Sequence, residues 1–187
     1  MAEPAVRMSH AEYLELAERA EVKHEFVDGL VVAMAGGTIE HSRLVARMSY
    51  LLQQALEGKP CNVFSPDGRI RIEATNRSTY PDVSVVCGAV QPASDDPHGI
   101  TNPVVLVEVL SDTTEKDDRG SKFAHYRRLP SLREYVLVAQ GSPTVEVFRK
   151  EGDVWVLREH GPGEDVELAS LGVEVSVDRL YSDPTRG

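Results

Sequence analysis

Apolar residues recur with two periods along this chain, and the switches between them mark its elements. Ser9-His10-Ala11-Glu12 forms a capping box ahead of Tyr13, Leu14, Leu16 and Ala17, which predicts a short helix with one apolar face. Glu25 to Val32 alternates around Asp28-Gly29 and predicts a tight hairpin. Gly36-Gly37 breaks the chain. Thr38 is then the expected N-cap of a helix reaching about Gly58, striped by Leu44, Val45, Met48, Leu51, Leu52 and Ala55. A second hairpin is expected from Cys61 to Glu73, turning at Pro66-Asp67-Gly68, with Arg69 and Arg71 on one face and Ile70 and Ile72 on the other. Tyr80-Pro81-Asp82 opens a strand, Gln91 to Asn102 reads as a polar loop, and Val104 to Leu110 reads as a strand buried on both faces. A helix from about Glu115 to Leu129 stops at Pro130. Glu134 to Val138, Thr144 to Arg149, Asp153 to Arg158, Val166 to Leu168 and Val173 to Val177 supply further strands, and a polar tail from about 179 reads as frayed. This order predicts an α+β fold, a mixed β-sheet flanked by helices with added β-hairpins, as one domain over 1–187.

Composition narrows the class. At 187 residues and 41% hydrophobic, the chain can bury a sizeable core. No apolar run approaches the roughly 20 residues of a membrane helix, and Met1-Ala2-Glu3-Pro4 is no basic-then-apolar leader, so a soluble cytoplasmic protein is expected. Cys61 and Cys87 stand in strand-like contexts without CxxC spacing, and read as buried small side chains in a reducing compartment rather than a disulfide. A formal charge of −10 argues against general affinity for nucleic acid. The charge is uneven, however. Residues 108–134 hold six acids and six bases, whereas 151–187 hold nine acids and three bases.

Glu108 is the one carboxylate inside the apolar run Val104 to Leu110. Left unpaired there, an ionised group costs several kcal/mol or takes up a proton. A metal ion shared with a second carboxylate would hold it, and so would an ion pair with Arg71 or Lys122. Asp82 begins a strand, unlike Asp67, which sits in a turn, and therefore projects from a rigid element. Asp82, Glu108 and the backbone carbonyl of Val109 offer hard oxygens suited to Mg²⁺, with Mn²⁺ as a substitute. On the following helix, Lys122 shares a face with Asp118 and Tyr126, where its ammonium could orient a water or offset charge on phosphate. Tyr126 could touch substrate or buttress Lys122. His41, in the first turn of its helix, is expected to be a neutral imidazole, because a helix N-terminus lowers its pKa. Glu25 is a further acid for the site, and Arg71 and Arg119 are the bases expected to meet substrate. Serine-hydrolase, Walker, dinucleotide and zincin motifs are absent.

Taken in order, these residues resemble the bacterial family of putative restriction endonucleases within the PD-(D/E)XK nuclease superfamily. The likeness rests on Ser9 to Ala17, His24-Glu25-Phe26-Val27-Asp28-Gly29, His41, Tyr80-Pro81-Asp82-Val83, Val107-Glu108-Val109-Leu110-Ser111, Asp118, Lys122, Tyr126 and Glu134-Tyr135-Val136-Leu137-Val138. The resemblance implies a restriction endonuclease-like core, Mg²⁺ at Asp82 and Glu108, and hydrolysis of phosphodiester bonds in nucleic acid, with DNA the expected substrate. By analogy with nucleases of this fold, it also implies homodimers whose two sites cut two strands. One departure matters: Leu110 occupies the position two after Glu108 where the superfamily carries lysine, so Lys122 must reach in from the helix. That displacement, with the acidic charge, keeps open a catalytically idle nuclease fold acting as a binding or regulatory module.

Overall fold

The computed structural model describes residues 6–34, 36–111 and 113–185. The opening Met1-Ala2-Glu3-Pro4, Asp112 and the last two residues of the tail lie outside them. The chain begins β1 (Val6–Arg7), α1 (His10–Arg19), β2 (His24–Val27), β3 (Leu30–Ala33) and α2 (Ile39–Ala55). There follow β4 (Cys61–Phe64), β5 (Ile70–Ile72), β6 (Arg77–Thr79), β7 (Val83–Cys87), β8 (Pro92–Ala93), β9 (Asp96–Ile100) and β10 (Val105–Val109). Next, α3 (Glu115–Asp117), a π-helical turn (Asp118–Lys122) and α4 (Phe123–Tyr126) run end to end. The strands β11 (Glu134–Val138), β12 (Val145–Glu151), β13 (Val154–His160), β14 (Asp165–Leu168) and β15 (Val173–Ser176) precede α5 (Val177–Tyr181).

Local chemistry fixes the ends of these elements. The Ser9–Glu12 capping box is complete, and the Thr38 hydroxyl accepts from the His41 amide at 3.0 Å. Asp28 and Gly29 take positive φ, 45° and 89°, which matches the right-handed twist of the β2–β3 hairpin they join.

Two mixed sheets carry the fold. One runs β13-β12-β11-β10-β7-β4 and the other β1-β3-β2-β6-β5-β9-β8, while β14 and β15 pair separately. The first sheet is covered on both faces. Val83, Val85, Val105, Val107 and Val109 meet α2 and the C-terminal segment, while Val86, Leu106, Leu110 and Leu137 meet Tyr126, Leu129 and β5 of the second sheet. Such double cover is why β10 reads as an unbroken apolar run, and it sets Glu108 on the face toward α4. The architecture is the expected α+β, restriction endonuclease-like one, with helices flanking mixed sheets.

Several expectations are corrected. Cys61 to Glu73 is no hairpin: after the Pro66-Asp67-Gly68 turn the chain changes sheets, β4 pairing with β7 and β5 with β6 and β9. Gln91 to Asn102 is no plain loop, since it contains β8 and β9, pinned by their edge position rather than by an apolar pattern. Cys61 and Cys87 lie opposite each other on β4 and β7 and are joined by a disulfide. The helix after β10 is shorter than expected and widens at the π turn. Order also extends past position 179, because Leu180 is fully buried and the Tyr181 hydroxyl donates to the carbonyls of Ala139 and Thr144.

On β9, buried Asp96 accepts two hydrogen bonds from Arg69, at 2.6 and 2.7 Å. Burial pushes its carboxyl up, but the Arg69 bonds outweigh burial and hold it below the usual range. A carboxyl lowered on folding stabilises above its unfolded pKa, and that stability is lost as pH falls through the folded value. Asp96→Asn is therefore expected to cost about 3 kcal/mol at pH 7, with the gap to the parent closing under acid; thermal melts at several pH values check it.

Candidate active site

One residue beyond the last paired positions of β10 and β7, Val107 and Val83, stand Glu108 and Asp82, on adjacent strands at the same end of the sheet. The N-terminus of α2 brings His41 to this end, the π turn brings Asp118 and Lys122, and β2 of the second sheet brings Glu25. A π turn inside a helix recurs at functional sites. Here both of its charged residues that face inward are buried.

Asp82 closes the ladder where β7 begins. Its Oδ2 accepts from the Val109 amide at 2.7 Å and from His41 Nε2 at 3.1 Å. The hydrogen bond to Asp82, opposed by burial, raises the His41 pKa, against the lowering expected from the helix N-terminus. Gly37 leaves room for this ring: a Cβ there would stand 2.6 Å from His41 Nδ1. Gln140 ties the site's edges together, donating to the Leu110 carbonyl at 2.6 Å and accepting from the Thr38 hydroxyl at 2.6 Å.

Glu108 is 3% exposed. Its Oε1 accepts from the Tyr126 hydroxyl at 2.7 Å and from Lys122 Nζ at 3.2 Å. Burial pushes its carboxyl up to about 8, with Lys122 pulling down and the Asp82 charge pushing further up. Lys122, 8% exposed, also lies 2.9 Å from Asp118 Oδ1 and 3.9 Å from Glu25 Oε1. Burial works against the ammonium, yet these carboxylates raise its pKa well above the ordinary value. Glu25 is braced from behind, accepting from Arg77 Nη2 at 3.2 Å and from the Thr79 hydroxyl.

The donor set fits a hard cation in part. Asp82 and Glu108 each commit one oxygen, leaving Asp82 Oδ1 and Glu108 Oε2 without a hydrogen bond among the described residues. No cluster of three or more His, Cys, Asp or Glu side chains there is spaced to hold a metal. An ion at this point would therefore depend on two carboxylate oxygens, the Val109 carbonyl, waters and substrate, a coordination that Mg²⁺ tolerates.

Of the remaining expected residues, three do other work. Tyr126 is fully buried and donates to Glu108, so it buttresses the site and offers nothing for substrate to touch. Arg71 pairs in register with Ser78, on the face of the second sheet opposite Arg77 and Thr79, and is held by Asp95 and Asn76. It cannot serve the Glu108 site. Arg119 is exposed but paired with Glu115 and Glu146. Sequence reasoning missed Arg77 and Gln140, which act through contacts 52 and 102 positions away and leave no local signal.

Residues 10–178 match the profile of the Uma2 family, described as "putative restriction endonuclease". Two uncharacterized Synechocystis proteins are similar along most of their length. One is 38% identical over 95% of this chain and 93% of its own, the other 35% identical over 89% and 95%. A crystal structure from Anabaena variabilis, titled a putative nuclease, superposes with a TM-score of 0.76 over 93% of this chain and 97% of that one, at 17% identity.

Proposed function

Because this chain belongs to the Uma2 family, we propose that it is a Mg²⁺-dependent endonuclease that hydrolyses phosphodiester bonds of DNA. One observation carries the reading: two carboxylates from adjacent strands, each with an oxygen to spare, beside a buried ammonium. Asp82, Glu108 and the Val109 carbonyl would hold the cation. When bound, Mg²⁺ supplies acidity to a coordinated water and positive charge to the phosphate. His41 and the Val109 amide both hold Oδ2 of the Asp82 carboxylate, which leaves Oδ1 for the cation. Lys122, gripped by Glu108 and Asp118, presents fixed positive charge to the attacking water or the phosphoryl oxygens. Glu25 orients Lys122 from the second sheet. Mn²⁺ would substitute for Mg²⁺. A second copy would provide the second cut of a duplex, and the cytoplasm is where such a substrate lies. No helix among the described residues is long and apolar enough to cross a membrane.

A second reading, a catalytically idle nuclease fold that binds or regulates, draws on Leu110 in the usual lysine position and on Lys122 being tied among carboxylates. Nicking of supercoiled plasmid in Mg²⁺ or Mn²⁺, with calorimetric titration of the metal, separates the two. Nicking by the parent and not by Asp82→Asn, with the metal heat lost in that variant, is the expected result. A parent that binds Mn²⁺ without nicking supports the idle module. Equal nicking by Asp82→Asn rejects the assigned site.

A further inference from the structure

Nine lysines and arginines among the described residues of this acidic protein hold a carboxylate directly. Around α4 and the β12–β13 hairpin, Arg119 and Arg149 each hold two carboxylates and Arg158 holds one. Arg127, Arg133 and Lys150 hold none among the described residues, and Arg127 and Arg133 are exposed. A continuous run of contacts links them. The Arg127 guanidinium lies 6.0 Å from the centre of the Phe123 ring, whose edge-on neighbour at 5.4 Å is Trp155. Trp155 pairs in register with Lys150, and the Lys150 amide donates to the Arg133 carbonyl at 2.8 Å. The adjoining acids Glu134 and Glu151 are occupied by Arg149 and Arg158, which leaves exposed Asp153 in the hairpin turn and exposed Glu159 four residues beyond Trp155 on the same strand.

We propose that Arg127, Arg133, Lys150 and Trp155 form a docking surface for an unpaired nucleic-acid strand, with phosphates on the three cations and a base against the indole. Positive charge with an available aromatic ring is the chemistry that holds single strands without reading sequence. A duplex keeps its bases stacked on one another and gives the half-buried Trp155 nothing to meet. The surface is separate from the carboxylate site yet close to it. Arg133 directly precedes Glu134, which pairs with Val105, three residues before Glu108 on β10 and so about 10 Å along the sheet. The choice of nucleic acid as partner is shared with the endonuclease reading and rests on it.

Trp155 is the chain's one tryptophan, so emission excited selectively at the indole, clear of the six tyrosines, reports on this surface alone. The full chain in EDTA, titrated with a single-stranded DNA oligonucleotide, should show quenching whose affinity falls with salt at a log–log slope of about −2, for three phosphate contacts. The double variant Arg127→Glu/Lys150→Glu should bind at least tenfold more weakly. Trp155→Ala, followed by anisotropy of a labelled oligonucleotide, should bind about fivefold or more weakly. Unchanged binding in both variants, equal quenching by duplex, or equal competition by polyglutamate would each overturn the proposal. Because no metal is present, quenching without any later Mg²⁺-dependent cleavage defeats the endonuclease reading and leaves the surface standing. Cleavage with no quenching does the reverse.

Discussion

Glu108→Gln is expected to reduce Mg²⁺-dependent cleavage by at least about a thousandfold, the loss of roughly 4 kcal/mol of metal-borne stabilisation, while the metal-free protein melts no lower than its parent. The two halves of this prediction come from one fact. Glu108 is buried with a carboxyl pushed up to about 8, so the ionised form needed for a metal is costly in the empty site. Glutamine keeps an oxygen to accept from Tyr126 and Lys122, and Lys122 retains Asp118 and Glu25. A carboxyl raised on folding binds more protons in the native than in the unfolded state, so its contribution declines as pH rises from its ordinary value toward 8. The melting temperature of the glutamine variant should therefore gain on the parent as pH climbs through that window in EDTA. A variant that loses cleavage only because it melts early would contradict this account, and melting curves beside the nicking assay show which holds.

What the sequence disclosed follows the range of the interactions involved. Ser9 with Glu12, Thr38 with the His41 amide and Asp28-Gly29 are settled within a few residues, so their signatures are local and were readable. Glu108 was readable for a different reason: one acid in a strand covered on both faces is a conflict that a partner must resolve, and Lys122 and Tyr126 are those partners. Several of the misreadings are questions of partner choice. Pro66-Asp67-Gly68 has hairpin chemistry, but a turn does not say whether the next strand returns to its neighbour or crosses to another sheet. Cys61 and Cys87 are separated by 26 positions, and only the register of β4 on β7 brings them opposite. Arg71 and Arg77 differ by their face on the second sheet, a matter of one-residue parity in strands of three residues. The first is held by Asp95, and the second reaches Glu25. The π turn was hidden because Asp118, Lys122 and Tyr126 share a face at α-helical spacing whether or not the helix widens.

Lys122→Met is expected to damage both fold and function. Its ammonium is the charge around which Asp118, Glu108 and Glu25 gather, at 2.9, 3.2 and 3.9 Å. Methionine fills the stem's volume and removes the cation, leaving three carboxyl groups turned toward one another in a buried space with only protonation to relieve them. Breaking a buried pair from one side costs about 3–5 kcal/mol, which in a chain of this size lowers the melting temperature by about 10 °C. Cleavage should fall with it, since the fixed positive charge near the attacking water is gone. Mn²⁺ should then raise the variant's melting temperature more than the parent's, because the vacated carboxylates accept the ion in place of the ammonium. Lys122→Arg should not restore cleavage, as a planar guanidinium cannot reproduce a compact charge among three acids. Melting of Lys122→Met at the parent's temperature in EDTA would mean that the lysine is not embedded as described, and would detach it from Glu108.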